Sequence, residues 1–178
     1  MELRRVIDIR PFRAEDATAT YEAVRESLDD LVPWMPWCHR DYSLEDARTW
    51  IEEQARAFDA KTAFQFAIVV DDRYAGAIGL NDVDNGNRRA NLGYWVRTSA
   101  VGHGVATAAV MKLHRWAMDN TGLFRLELLI AVGNLASQRV AEKAGAMREG
   151  ILRQRIIVHD VAHDAVLYSL TRNLIGGA

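Results

Sequence analysis

The stretch from Tyr94 to Thr107 constrains this chain more than any other. Tyr94-Trp95-Val96-Arg97 reads as an apolar strand, and Gly102-His103-Gly104 as a loop with two glycines one residue apart. An Ala-rich helical run follows at once from Val105. A strand that turns through such a loop straight into a helix brings bare main chain to one point. Glycine lets successive backbone N–H groups converge on an anion with no Cβ in the way. The helix start adds about half a positive charge. The segment therefore predicts a phosphate or pyrophosphate cradle, with a plain helix-capping turn as the alternative. It is not a nucleoside triphosphate loop, because no Gly-Lys-Ser/Thr follows. A dinucleotide fingerprint would want a third glycine near Thr107 and an acid after the next strand, and neither is present.

The rest of the chain supplies alternating strands and helices around that unit. Leu3 to Arg10 reads as a strand ended by Pro11. Ala17, Tyr21, Val24 and Leu28 recur at helical spacing. Pro33 and Pro36 forbid a regular helix over Leu31 to Cys38. Ser43 with Asp46 three residues on resembles a capping box, opening a helix whose apolar side is Leu44, Ala47, Ile51 and Phe58. Strands are expected at Phe64–Val70, Tyr74–Leu80 and Arg89–Val96, the last two separated by the turn signal Asp84-Asn85-Gly86-Asn87. A helix from Gly104 to about Asn120, a strand at Arg125–Ala131 and a short helix from Asn134 to Ala144 come next, the last closed by Gly145. Met147–Val158 and Ala165–Leu170 close the chain as an antiparallel pair. The order is β-α-α-β-β-β-α-β-α-β-β. A helical crossover between the strands at Arg89 and Arg125 implies one parallel pair inside a mostly antiparallel sheet.

Bulk properties narrow the partners. A chain of 178 residues, 49% apolar and 26% charged, suits one domain spanning residues 1–178. A net charge of −2 advertises neither nucleic acid nor an anionic membrane. No apolar run approaches the roughly 20 residues of a membrane span, and the opening Met1-Glu2-Leu3-Arg4-Arg5 lacks the apolar centre of a signal peptide. The single cysteine, Cys38, permits no internal disulfide, which fits a reducing cytoplasm. No metal site is expected. His159 and His163 are four apart but flank a turn, with no third ligand nearby.

Element order and glycine loop together resemble the GNAT superfamily of acyl-CoA N-acyltransferases. Asn134-Leu135-Ala136-Ser137 with the terminal Gly145 looks like the family's Asn-x-x-Ser helix. Glu149-Gly150 is similar to the Glu-Gly strand of the branch that acetylates ribosomal proteins. Pro33-Trp34-Met35-Pro36-Trp37 looks like that branch's acceptor-side loop, and the ending from His163 to Leu170 also fits. The resemblance implies an α+β fold: a mixed sheet of about seven strands with a splayed parallel central pair, flanked by about four helices. It implies acetyl transfer from acetyl-CoA, a cosubstrate, to a peptide α-amine or a small amine, without a metal. By the same resemblance, Gly102, His103, Gly104, Val105, Ala106 and Thr107 would hold the CoA pyrophosphate. The edge at Trp95, Val96 and Arg97 would meet pantetheine, Asn134 would bond its arm, and Lys143 or Arg139 could meet CoA phosphates. Ser137 is the candidate proton donor to the leaving thiolate. Trp34 and Trp37 would wall the acceptor pocket.

The chain also departs from the family pattern. Val101 stands where the glycine signature usually opens with Gln or Arg. Asn91 stands where the central strand often carries a glutamate base, and Ile156 where some relatives carry a second carboxylate. Glu127 is the best remaining carboxylate beside the slot, and proton removal through ordered water is expected. Such a site leans toward α-amines, whose pKa of about 7.7–8.0 lies well below the roughly 10.4 of lysine. Trp34 and Trp37 could equally be core packing, and Arg153 and Arg155 read as a solvated face. Two rival readings stay open: the same fold using another acyl-CoA such as succinyl-CoA, and a non-catalytic acyl-CoA sensor. The acceptor's identity and the oligomer, a homodimer being one option, also stay open.

Overall fold

The computed structural model describes residues 5–172. Leu3 and Arg4 of the first expected strand lie outside them. Strand β1 (Ile7–Pro11) leads into helices α1 (Asp16–Glu26), α2 (Leu28–Leu31) and α3 (Leu44–Asp59). Strands β2 (Phe64–Val70), β3 (Arg73–Asp84) and β4 (Arg89–Val96) form a meander. Helix α4 (Val105–Asn120), strand β5 (Arg125–Ala131), helix α5 (Leu135–Lys143) and strands β6 (Met147–Val158) and β7 (Val161–Thr171) complete the chain. The order differs from expectation in one element. The apolar period through Leu28 belongs to two helices, because α1 stops at Glu26 and the chain re-enters a single turn as α2.

Local chemistry accounts for the boundaries. Ser43 and Asp46 form the reciprocal capping box that opens α3, with Asp46 N–H donating to Ser43 Oγ at 3.2 Å and Ser43 N–H to the Asp46 carboxylate at 2.8 Å. Such a cap contributes about 1 kcal/mol. Asp71 and Asp72 both take positive φ, 49° and 62°, as do His159 and Asp160 at 46° and 63°. Two successive left-handed residues suit the right-handed twist of a hairpin, so β2–β3 and β6–β7 close through tight turns. Gly76 is required for a different reason. A Cβ there would lie 2.2 Å from the Trp95 carbonyl oxygen, so only glycine lets β3 lie this close to the end of β4.

The sheet runs β1-β2-β3-β4-β5-β7-β6. All neighbours are antiparallel except β4 and β5. The two faces carry separate cores. One packs Leu80, Ala90, Leu92, Leu126, Leu128 and Tyr168 against Val105, Val110, Leu113 and Ala117 of α4 and Ala141 of α5. The other packs Ala67, Ala77, Tyr74 and Trp95 under Ala23 and Val24 of α1, Leu31 of α2 and Ala47 of α3. Alanine on both strands and helices of this second layer lets the helices lie close. No described helix is long and apolar enough to cross a membrane.

Candidate active site

The parallel pair is joined over a short base only. Arg89, Ala90 and Asn91 oppose Arg125, Leu126 and Glu127, and pairing stops there. Beyond Asn91, β4 remains paired to β3 through Val96, while β5 remains paired to β7 through Ala131. The facing edges of Leu92–Val96 and Leu128–Ala131 are thus free of each other, and their backbone groups need partners. A cavity of about 690 Å³ occupies this opening. Its lining comes from both faces of the sheet: Tyr94, Asn134 and Ser137 from the α5 side, and Trp34, Trp37, Tyr42 and Trp50 from the α1–α3 side.

At the far end of β4 the chain enters the glycine loop. Gly102 and Gly104 have φ of 84° and 75°, and a Cβ at either would meet nothing within 4 Å. Gly104 caps α4 without a side-chain bond. Among the described residues, the N–H groups of Gly102, His103, Gly104, Val105, Ala106 and Thr107 meet no protein acceptor. Six donors point from one loop and one helix start. The loop is moored from behind. Arg97 pairs with Glu26, Ser99 N–H donates to Glu26 Oε1 at 2.8 Å, and Thr98 N–H donates to Ser27 Oγ at 3.0 Å. The Arg97 guanidinium holds the Glu26 carboxyl down at about 2. The Arg97 side chain therefore serves as an anchor, which confines any coenzyme contact there to its main chain.

Helix α5 sets the other wall. Asn134 is its N-cap, accepting from Ser137 N–H at 3.0 Å, so only its amide nitrogen remains to meet a ligand. Ser137 Oγ lies 2.7 Å from Tyr94 Oη. Burial pushes the Tyr94 phenol up to about 12 against the lowering effect of the Ser137 hydrogen bond. The Ser137 hydroxyl is thus not spent on its own turn, the plainer alternative for a serine so placed. Tyr94 went unnoticed in the sequence as more than a strand residue, because its partner lies 43 positions away.

On the acceptor side, Trp34, Trp37, Asn91 and Trp95 all line the cavity. Trp37 sits 6.0 Å from Trp95 and 5.9 Å from Tyr42, ring centre to ring centre. Trp34 rests on Gly133, and the His159 ring lies 3.1 Å from the Val32 carbonyl, pinning the proline-rich loop at two places. Asn91 Nδ2 donates to Asn81 Oδ1 at 2.7 Å, leaving Asn91 Oδ1 buried without a partner. Buried Cys38 has its thiol pushed up by desolvation, which argues against a thiolate nucleophile.

One expectation meets a different arrangement. Glu127 does not line the cavity; Arg125 Nε at 2.8 Å and Arg89 at 3.1 Å occupy its carboxylate at the paired base. Lys143 and Arg139 are exposed on α5, away from the cavity lining. Arg153 and Arg155 are exposed, as a solvated face requires, and Arg155 also lines the cavity beside Ile156. Strand β6 is irregular between Leu152 and Ile156, with Gln154 at φ 48°. Asp46, Glu53 and Asp82 also line the cavity and were missed, since they come from α3 and a bulged end of β3. Among the described residues no group of His, Cys, Asp and Glu is arranged to hold a metal.

Comparison with known proteins agrees with this geometry. The family model for the acetyltransferase (GNAT) domain matches residues 7–147. The candidate ribosomal N-acetyltransferase YdaF of Bacillus subtilis (strain 168) is 31% identical over 93% of this chain and 91% of its own length. The ribosomal-protein-serine acetyltransferase of Escherichia coli (strain K12) is 28% identical, covering 84% and 83%. Mycobacterium smegmatis RimJ, solved in complex with CoA-disulfide, superposes with a TM-score of 0.89 at 24% identity, over 97% of this chain and 85% of that one.

Proposed function

The chain belongs to the GNAT acetyltransferase family and is an N-acetyltransferase, and from that premise we propose that it moves the acetyl group of acetyl-CoA to an α-amine, at the N-terminus of a peptide or protein. One observation carries this reading. β4 separates from β5 past Asn91 around a cavity holding Ser137, Asn91 and a tryptophan wall, and the same strand leads on to a helix start with six unpartnered amides.

Each part has a task in amine acetylation. The amides of Gly102 to Thr107 bind the CoA pyrophosphate, with the α4 N-terminus favouring its charge. The free edge of β4 at Trp95 and Val96 pairs with pantetheine as a neighbouring strand would. A β4 N–H polarises the thioester carbonyl and stabilises the negative charge that develops on its oxygen. Asn134 Nδ2 bonds the pantetheine arm, and Lys143 adds charge toward the CoA phosphates. Asn91 Oδ1, a buried acceptor with no protein partner, takes an N–H of the attacking amine. Glu127 supports this wall indirectly, by holding Arg89 and Arg125 at the base of the opening. Ser137 protonates the departing sulfur.

The acceptor preference follows from the want of a buried base: Asn91 stands on β4, and the histidine and carboxylates lining the cavity, His39, Asp46, Glu53 and Asp82, are all exposed. Asp46 is tied up by Ser43, whose hydrogen bonds hold its carboxyl below the usual range. An α-amine is largely neutral near pH 8 and needs little more than water to lose its proton, whereas lysine needs a strong base. Mass spectrometry of a panel of seryl, alanyl and lysyl peptides and small amines with acetyl-CoA tests this. Transfer to the α-amine of the seryl or alanyl peptides is expected. Modification confined to lysine ε-amines would overturn the assignment. Arg155 in the cavity makes succinyl-CoA the comparison donor, since a guanidinium could meet its free carboxylate.

A further inference from the structure

We infer that Tyr94 is a positioning residue for acetyl transfer: its phenol donates to Ser137 Oγ and so turns the serine's own proton toward the leaving sulfur. This rests on the reading of Ser137 given above and adds a second residue to it.

The direction of the hydrogen bond is the decisive point. Tyr94 Oη lies 2.7 Å from Ser137 Oγ and 3.4 Å from the Ser137 carbonyl oxygen. The phenol has one proton to give, and the carbonyl sits at the long limit of a hydrogen bond, so the proton goes to the much nearer Oγ. A phenol is also the stronger acid of the two hydroxyls, and the stronger acid is the better donor. Ser137 Oγ therefore accepts, and its own O–H is free to rotate into the cavity that both residues line. The serine is also held through its main chain. Its main-chain N–H is fixed by Asn134 Oδ1 at 3.0 Å, at the start of α5. Burial keeps the phenol protonated across the working pH range, so the donor does not switch off. Tyr94 can reach α5 because it lies where β4 has parted from β5, three residues past the last parallel rung at Asn91.

The proton balance closes. The amine nitrogen bonds the carbonyl carbon and the C–S bond breaks. The sulfur takes the Ser137 proton, and the oxygen left behind is stabilised by the bond from Tyr94. The new amide sheds its extra proton, which returns to Ser137 Oγ through solvent. A hydrogen bond to a charged oxygen is stronger than one to a neutral hydroxyl, so Tyr94 helps more as the sulfur leaves than before.

A double-mutant cycle reads this directly. Single-turnover acetylation of a seryl peptide by acetyl-CoA is measured for the wild type, Tyr94→Phe, Ser137→Ala and the pair. Tyr94→Phe is expected to slow the transfer step about tenfold while acetyl-CoA affinity stays within about twofold. In the Ser137→Ala background the same substitution is expected to change nothing. An equal loss in both backgrounds would show a packing role for the ring and overturn the inference. Should Tyr94→Phe fold poorly, fluorotyrosines at position 94 keep the shape and strengthen the donor. The rate should then rise only when Ser137 is present, and a flat response would also overturn it. A wild-type chain that binds acetyl-CoA and transfers nothing to any amine would instead overturn the proposed function on which the inference rests.

Discussion

The glycine loop at the start of α4 and the cavity between β4 and β5, the proposed coenzyme and acceptor ends, are built from different materials. The coenzyme end is main chain: six amides on one contiguous stretch, Gly102 to Thr107, displayed by two left-handed glycines. The acceptor end is side chain: Trp34, Trp37, Asn91, Trp95 and Arg155, drawn from a loop and two distant strands. A backbone cradle tolerates change in every side chain around it but not a loss of its conformation. A side-chain wall can be re-cut residue by residue without losing the fold. The coenzyme end is thus suited to one ligand, and the acceptor end is where selectivity resides.

That contrast can be broken most severely at Gly104. Gly104→Trp is expected to cost on the order of 100-fold or more in acetyl-CoA affinity by calorimetry, because bulk enters the space the amides face. Gly104→Asn is the control, since asparagine tolerates the left-handed conformation and leaves most of that space open. Unchanged affinity in the tryptophan variant would move the cradle elsewhere. Between the two ends, Ser137→Ala should lower kcat by about 100-fold with acetyl-CoA affinity unchanged, and equal turnover would remove its proton-donor role. At the acceptor end, Trp37→Ala should raise the peptide KM about tenfold and leave acetyl-CoA binding alone. A change in coenzyme affinity would show that the two ends are not separable.

The smallest effect is expected below the opening, at the paired base. Arg125 donates to both oxygens of Glu149, at 2.8 and 2.6 Å, and holds its carboxyl down at about 2, with Ser169 assisting. A folded-state pKa below the unfolded one means that this pair stabilises the chain above about pH 4.5 and loses that contribution as pH falls toward 2. The pair is partly exposed, so its contribution is modest. Thermal melts of Glu149→Gln should show a slightly lower midpoint at pH 7 and a shallower fall below pH 4.5. An identical acid limb would assign the acid sensitivity to other carboxylates, Glu26 first among them.

How much was legible follows the same division. The capping box at Ser43, the glycine closing α5 and the strand–loop–helix unit are local, and each was read from adjacent residues. Glu127 reads in the sequence as a free carboxylate beside the slot, because its ion pair with Arg89 across the strands is invisible there. Asp82 was missed because β3 bulges between Asn81 and Asp84.

By itself the sequence determined the order of elements apart from α2, the crossover that makes β4 and β5 parallel, and the bare main chain at the start of α4. These depend on periodicity, turn chemistry and glycine, which act over a few residues. Only the tertiary structure decided where β4 parts from β5, which carboxylates face the opening, and that a tyrosine on one strand would hold a serine on a helix 43 residues later. Those are outcomes of packing between segments far apart in the chain, where the partner and not the residue sets the role.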